Sequence, residues 1–249
     1  MTETYTPGYT ANATALMARR RLDSHGAFLT QYLRPGLRVL DVGCGPGSIT
    51  LDIASEVAPG HVVGLDQEPS QVELAWGAAR DAGVGNVSFE RGSVYALPFA
   101  DGSFDIVFAH AVFEHLADPR TALSEIQRVL VAGGRVALRS PDWGGFVVAP
   151  SNAKTEAAIA TYRALQERNG GNVHAGRQLG ASLRAAGFTD VVVSAAYEIY
   201  PSAELIGEYL ARQLEVVGDT MSASTLRRWM VDPDALFAQA WFEAVGTRS

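Results

Sequence analysis

Two hydrophobic rhythms alternate along the chain. Short apolar runs rich in β-branched residues occur at residues 38–42, 61–65, 86–90, 104–109 and 135–139, too short for exposed helices and bounded by turn residues. Between them the apolar positions recur at helical spacing, as Ile49, Ile53 and Val57 do within residues 48–57. The same spacing predicts helices at 14–33, 69–82 and 119–130, and Pro69 suits a first helical turn, where a missing N–H is harmless. Gly133-Gly134 breaks the chain before the fifth run. Alternation of this kind predicts a parallel sheet with right-handed crossovers.

The last third follows another pattern. Helices are predicted at 152–168 and 178–186, a long strand at 190–200, a helical stretch of mixed polarity at 201–229, and a closing strand at 239–245. The helical insert before the closing strand is the part least dictated by the sheet, so substrate contacts are expected there. No internal repeat or low-complexity linker divides the chain. One domain over 1–249 is expected: an N-terminal helical segment (1–33), a ligand-binding core (34–141), and substrate-side helices with the last two strands (142–249).

Composition narrows the function. A chain of 249 residues, 47% hydrophobic, can bury a full core. Net charge is −7 and the only basic run is Arg19-Arg20-Arg21, which argues against a nucleic-acid partner. That run is either a solvated helix face or a ligand contact. The lone cysteine, Cys44, excludes an intrachain disulfide and a multi-cysteine metal site, and no metal is expected. Residues 1–14 lack the pattern of a signal peptide, and no apolar run reaches the ~18 residues of a membrane span. A cytoplasmic protein is expected. Nothing in the pattern specifies an oligomeric state.

The densest chemistry lies in Val39-Leu40-Asp41-Val42-Gly43-Cys44-Gly45-Pro46-Gly47. Glycines between a strand and a helix let the backbone turn sharply and approach a ligand. The spacing is Gly-x-Gly-x-Gly, with Ser48 where a dinucleotide fingerprint would carry its third glycine. Asp41, just before the turn, would repel a pyrophosphate but suits a cationic ligand. Asp66, at the end of the next strand, can accept both hydroxyls of a ribose, or merely cap the helix that follows. S-adenosylmethionine, a nucleoside with an ammonium and a sulfonium and no phosphate, meets these requirements. A nicotinamide dehydrogenase would need Gly-x-Gly-x-x-Gly and more chain for a catalytic domain.

Taken together, the residues resemble the class I S-adenosylmethionine-dependent methyltransferases, in particular the group related to ubiquinone and menaquinone biosynthesis. The resemblance rests on Leu40-Asp41-Val42-Gly43-Cys44-Gly45-Pro46-Gly47-Ser48-Ile49-Thr50 and Gly64-Leu65-Asp66. It continues through Leu97-Pro98-Phe99-Ala100-Asp101-Gly102-Ser103-Phe104-Asp105-Ile106-Val107, Glu114-His115-Leu116-Ala117-Asp118-Pro119 and Arg128-Val129-Leu130 with Gly133-Gly134. These pieces cover residues 34–141. Asn169-Gly170-Gly171, Ala175-Gly176-Arg177 and Arg184-Ala185-Ala186-Gly187-Phe188 extend a fainter likeness toward the C-terminus.

The resemblance implies an α/β, Rossmann-like seven-stranded sheet, mostly parallel with an antiparallel last strand and helices on both faces. It implies that Asp41, Gly43, Cys44 and Gly45 line the methionine and ribose side of the cofactor. Asp66 would hold the ribose, Gln67 would lie beside the adenine, and Arg20 would close over the cofactor. Where relatives carry an acid for the adenine amino group, this chain reads Gly92-Ser93-Val94, leaving Ser93 or the backbone at Ser93 and Val94 to make that contact. The implied reaction is methyl transfer to a small-molecule acceptor by in-line displacement, with a non-catalytic cofactor-binding regulator as the alternative.

Such a displacement needs a base only when the acceptor must lose a proton. His110, after the fourth strand, is the candidate base, or it faces the cofactor through its backbone carbonyl. His115 is expected to fix its loop. His174 and Arg177 either meet an anionic substrate or form a solvated turn. Trp143, Phe146, Tyr162, Tyr197 and Tyr200 are candidates for an aromatic wall, though aromatic residues at such positions also serve as ordinary core.

Overall fold

The computed structural model describes residues 4–249. Strands β1 (Arg38–Val42), β2 (His61–Asp66), β3 (Val87–Arg91), β4 (Phe104–His110), β5 (Leu130–Ala149), β6 (Thr189–Ile199) and β7 (Leu236–Thr247) form one sheet in the order β3-β2-β1-β4-β5-β7-β6. The first five pair in parallel, and β7 runs antiparallel between β5 and β6. This is the Rossmann-like sheet with an antiparallel last strand that the sequence led us to expect.

Strand alternation sorts the core into two layers. Val39 of β1 faces α4 (Ser48–Val57) and α5 (Pro69–Ala82), where it is buried with Ile53, Ala75 and Phe108. Leu40 and Val42 face α6 (Pro119–Val129) and α8 (Ala175–Ala185), among Leu123, Ile126 and Leu183. Period-two side chains make this division unavoidable, and each fully buried Leu or Val contributes roughly 1.5–3 kcal/mol. A third cluster lies beyond the carboxyl ends of the strands. There α7 (Ala153–Arg168), α9 (Ala203–Val216) and α10 (Thr220–Met230) pack Ile159, Tyr162, Leu210 and Trp229 against Trp143 and Phe237.

Three elements differ from the expectation. The single helix expected over 14–33 is divided into α1 (Ala11–Met17), α2 (Leu22–His25) and α3 (Ala27–Thr30). Arg21 is extended (φ −134°, ψ 158°), and the Leu22 N–H that this frees is bonded by Asp52 Oδ2 at 2.9 Å. At Gly26 a Cβ would lie 2.8 Å from Leu22 Cδ1, so a larger residue there would have to displace that buried side chain. Residues 1–3 of the N-terminal segment lie outside the described residues. The stretch over 201–229 is two helices, parted at Gly218 (φ +85°). β5 and β7 run on past the sheet and pair at Phe146↔Gln239 to Ala149↔Leu236, under the third cluster. Phe146 and Phe237, on this extension, stack 5.9 Å apart, so tertiary packing lengthens both strands.

Candidate active site

Strand order reverses between β1 and β4, and the carboxyl ends of those strands open a cleft of about 1020 Å³. Ligands on open α/β sheets sit at this switch point. Every residue named from the sequence as a cofactor contact lines the cleft: Arg20, Asp41, Gly43, Cys44 and Gly45 on one side, and Asp66, Gln67, Ser93, Val94 and His110 around it.

The glycine turn is shaped by its neighbours. Gly43, Gly45 and Gly47 all take positive φ (71°, 53° and 83°). A Cβ at Gly43 would meet Val112 Cγ2 at 2.4 Å, and one at Gly47 would meet Ala75 Cβ at 2.9 Å. At Gly45 the nearest atoms to a Cβ, Gln71 Oε1 and Met17 Sδ, stand 3.9 Å away, an ordinary contact distance, and the residue borders the cleft. The turn is held to β2 by Gly43 N–H and Cys44 N–H, both donating to Leu65 O at 2.7 and 3.1 Å.

Two carboxylates flank the turn. Asp66 accepts from Gly45 N–H through Oδ2 at 2.9 Å and from Glu68 N–H through Oδ1 at 3.0 Å. Both oxygens are thereby aimed, and each keeps lone pairs for a ligand. The α5 cap is Glu68, so Asp66 is not needed as a side-chain cap for that helix. Asp41 is 3% exposed and accepts from Thr50 Oγ1 at 2.6 Å. Burial pushes its carboxyl up to about 7, with nearby Asp66 adding to the rise. No basic side chain among the described residues pairs with it. A buried acid without a counter-charge, on the wall of a cleft, is a seat for a cationic ligand.

A second chamber of about 560 Å³ adjoins the cleft, and Tyr5, Met17, Arg20, Ala111 and His115 line both. Ala111 adopts φ 57°, uncommon for a residue with a side chain, and its N–H donates to Arg139 O at 2.8 Å. The chamber is closed by α7 and α9, which supply Tyr162, Gln166, Ile206 and Tyr209. Chain 4–20 crosses both spaces. It is tied down where Thr4 N–H donates to Asn169 O, Gln213 Nε2 to Pro7 O, and Gln71 Nε2 to Thr14 Oγ1.

Residues 33–187 match a family described as a methyltransferase domain. The chain belongs to that family. An uncharacterised 37.1 kDa protein in transposon TN4556 of Streptomyces fradiae is 33% identical over 217 residues, 85% of this chain and 61% of that one. The demethylmenaquinone methyltransferase of Lactococcus lactis subsp. lactis is 41% identical over 102 residues, 41% of this chain and 40% of the relative. The chain therefore spans 61% or less of the length of these curated relatives. The crystal structure of YcgJ from Bacillus subtilis shares the fold, with a TM-score of 0.67 at 22% identity over 91% of this chain and 98% of that one.

Within this methyltransferase domain several expectations need correcting. His110 does reach the cleft, but its Nε2 lies 2.7 Å from Arg139 Nη1. Burial, with Arg20, Arg139 and His25 nearby, holds its imidazole well below the usual range. That geometry opposes the role of base. Arg177 and His174 do not line either space; both turn to Asp142, with Arg177 Nη2 donating to its Oδ1 at 2.7 Å. Tyr197 is exposed and Phe146 packs in the third cluster, whereas Trp143, Tyr162 and Tyr200 do line the chamber. Ser93 Oγ already accepts from Tyr95 N–H at 3.3 Å, which leaves its hydroxyl one further lone pair.

Other lining residues escaped the sequence reading. Tyr5, Tyr9, Met17, Gln71 and Tyr95 line the cleft, and Glu114, Gln166, Tyr209, Gln239 and Trp241 line the chamber. Glu114 alone had a signal, its place in the Glu114-His115-Leu116 motif. Gln71 lies on α5 and Tyr95 just after β3, within the cofactor half, while Tyr5, Tyr9, Met17, Tyr209, Gln239 and Trp241 come from segments near the two ends of the chain and Gln166 from α7.

Proposed function

We propose that this domain transfers a methyl group from S-adenosylmethionine to a small-molecule acceptor by in-line displacement. The observation that carries the reading is the buried carboxylate of Asp41, without a counter-charge among the described residues, beside a turn whose Gly45 borders the cleft. A cationic ligand relieves that burial, whereas a phosphate would aggravate it. Asp66 would hold the ribose hydroxyls, Gln67, Ser93 and Val94 would surround the adenine, and the backbone from Gly43 to Gly45 would follow the methionine part. Gln71 Oε1, buried and without a partner among the described residues, supplies a further acceptor on the same wall.

S-adenosylmethionine supplies an electrophilic methyl group already activated on a sulfonium. The protein's own tasks are alignment and exclusion of water. Chain 4–20 covers the cleft with Tyr5, Tyr9 and Met17, and Arg20 borders both spaces. The second chamber suits a small acceptor, and one domain would thus hold both partners. The net charge of −7 agrees with an acceptor that is not a nucleic acid. Among the described residues no helix is long and apolar enough to cross a membrane. The cytoplasm, where this cofactor is made, is the proposed site of action. No observation favours the regulator that binds without turnover.

Calorimetry tests the reading. Saturable binding of S-adenosylmethionine and of S-adenosylhomocysteine is expected, followed by label transfer from the methyl group to a member of a metabolite panel. Absence of affinity for both compounds would overturn it.

A further inference from the structure

The second chamber has an aromatic wall and one acid. Tyr5, Trp143, Tyr162, Tyr200, Tyr209 and Trp241 surround it, drawn from the N-terminal strap, β5, α7, the end of β6, α9 and β7. Aromatic side chains favour a flat apolar ligand, which they meet by offset or edge contacts. Glu114, 2% exposed, lies on the same wall. Its Oε2 accepts from Ser140 Oγ at 2.8 Å, while its Oε1 has His115 Nε2 only at 3.7 Å, beyond hydrogen-bond reach. The backbone behind it is rigidly placed, because Glu114 O accepts from Gln166 Nε2 at 3.2 Å and from Asn172 N–H at 2.8 Å.

Glu114 thus presents to the chamber a buried carboxylate bonded by Ser140 Oγ and by its own backbone N–H, with lone pairs to spare for a further donor. Burial pushes its carboxyl up to about 7, and the neighbouring His115 is held at about 3, so no histidinium balances it. Trp241 Nε1 and Gln239 Oε1 are buried on the same chamber lining without partners among the described residues. The charges nearby disfavour ions of either sign. Arg20 borders the chamber and the Arg139 guanidinium lies 4.3 Å from the Trp241 ring, opposing a cation, while Glu114 opposes an anion.

Resting on the methyl-transfer reading, we propose that the chamber receives an uncharged, flat aromatic molecule bearing a hydroxyl, and that Glu114 Oε1 accepts the hydrogen bond from that hydroxyl. Glu114 is then the residue that selects an oxygen acceptor and places it in the chamber adjoining the cofactor cleft.

Calorimetry with three probes tests this on protein saturated with S-adenosylhomocysteine: 2-naphthol, 2-methoxynaphthalene and 2-naphthylmethylamine. The naphthol is expected to bind at least about tenfold more tightly than its methyl ether, the factor for one charge-assisted hydrogen bond. Glu114→Gln, which keeps the Ser140 bond, is expected to bring that ratio to within about threefold without changing affinity for S-adenosylhomocysteine. If that variant does not fold, Glu114→Asp withdraws the carboxylate and should lower the ratio likewise. Equal binding of naphthol and ether, preference for the amine, or a ratio unchanged in both variants would overturn the proposal alone. Failure of S-adenosylhomocysteine to bind would overturn the methyl-transfer reading and this proposal with it.

Discussion

Arg139 Nη1 lies 2.7 Å from His110 Nε2 inside the protein. A guanidinium only donates, so Nε2 accepts and the ring hydrogen of neutral His110 is on Nδ1. His110 therefore has no free lone pair with which to take a proton from an acceptor. Arg139 is itself held by Glu198, at 3.1 Å, which also meets His25 at 3.4 Å. Long-range ¹H–¹⁵N spectra should show His110 as the Nδ1–H tautomer at neutral pH, with no transition near the usual imidazole value. A transition near 6.5 in that residue would restore it as a candidate base.

Asp66 holds the turn as well as the proposed ribose. Asp66→Ala should weaken binding of S-adenosylmethionine by roughly 1–3 kcal/mol, the cost of a lost buried charged hydrogen bond. The fold should survive, because the core on both sides of β2 is unaltered. Unchanged affinity by calorimetry would remove Asp66 from the site.

Asp41 links stability to pH with a definite sign. Its carboxyl rises from 3.8 to about 7 in the folded chain, so folding takes up a proton and stability falls as pH rises between those values. Asp41→Asn should stabilise the free protein at pH 8 by on the order of a few kcal/mol, read as a higher melting temperature, and leave it nearly unchanged at pH 4. The same substitution should weaken binding of S-adenosylmethionine at pH 8.

The ionised form of Asp41 is the one that suits a cation. In the wild type, affinity for S-adenosylmethionine should therefore fall as pH drops from about 7 to 5, with protons released on binding at pH 6. Asp41→Asn should flatten the profile. A wild-type profile already flat across that interval would separate Asp41 from the ligand.

Two glycines of the turn should fail differently. Gly43→Ala drives a methyl into Val112 at 2.4 Å and adds strain at φ 71°, so a loss of about 2–4 kcal/mol of stability is expected from thermal unfolding. Gly45→Ala meets nothing closer than 3.9 Å, so only the backbone penalty of about 1–2 kcal/mol applies. Its methyl group would occupy the ligand's space, so cofactor affinity should fall further than stability does.

Much of the cofactor side was legible because it is local. Asp41, Gly43, Gly45 and Asp66 lie within two strand–turn–helix units, and the parallel pairing of β1 with β2 brings both acids to the same carboxyl edge. Ser93 and Val94 follow the third strand for the same reason. The acceptor side was less legible. Glu114 and Trp241 meet across a space that closes only when β7 inserts beside β5 and chain 4–20 folds over it. The expected long N-terminal helix erred at the position where Arg20 leaves helical geometry to reach the cleft, a break made by Arg21, Asp52 and Gly26.

Short-range pattern by itself determined the sheet, its crossovers, the family and the turn, since each depends on residues a few positions apart in one strand or helix. Tertiary structure alone decided which ring nitrogen of His110 carries the hydrogen, that Arg177 serves Asp142, and that Glu114 ends up buried beside Ser140 on the chamber wall. Those outcomes depend on partners tens of residues away, and hydrogen-bond chemistry takes its meaning only from the partner that arrives.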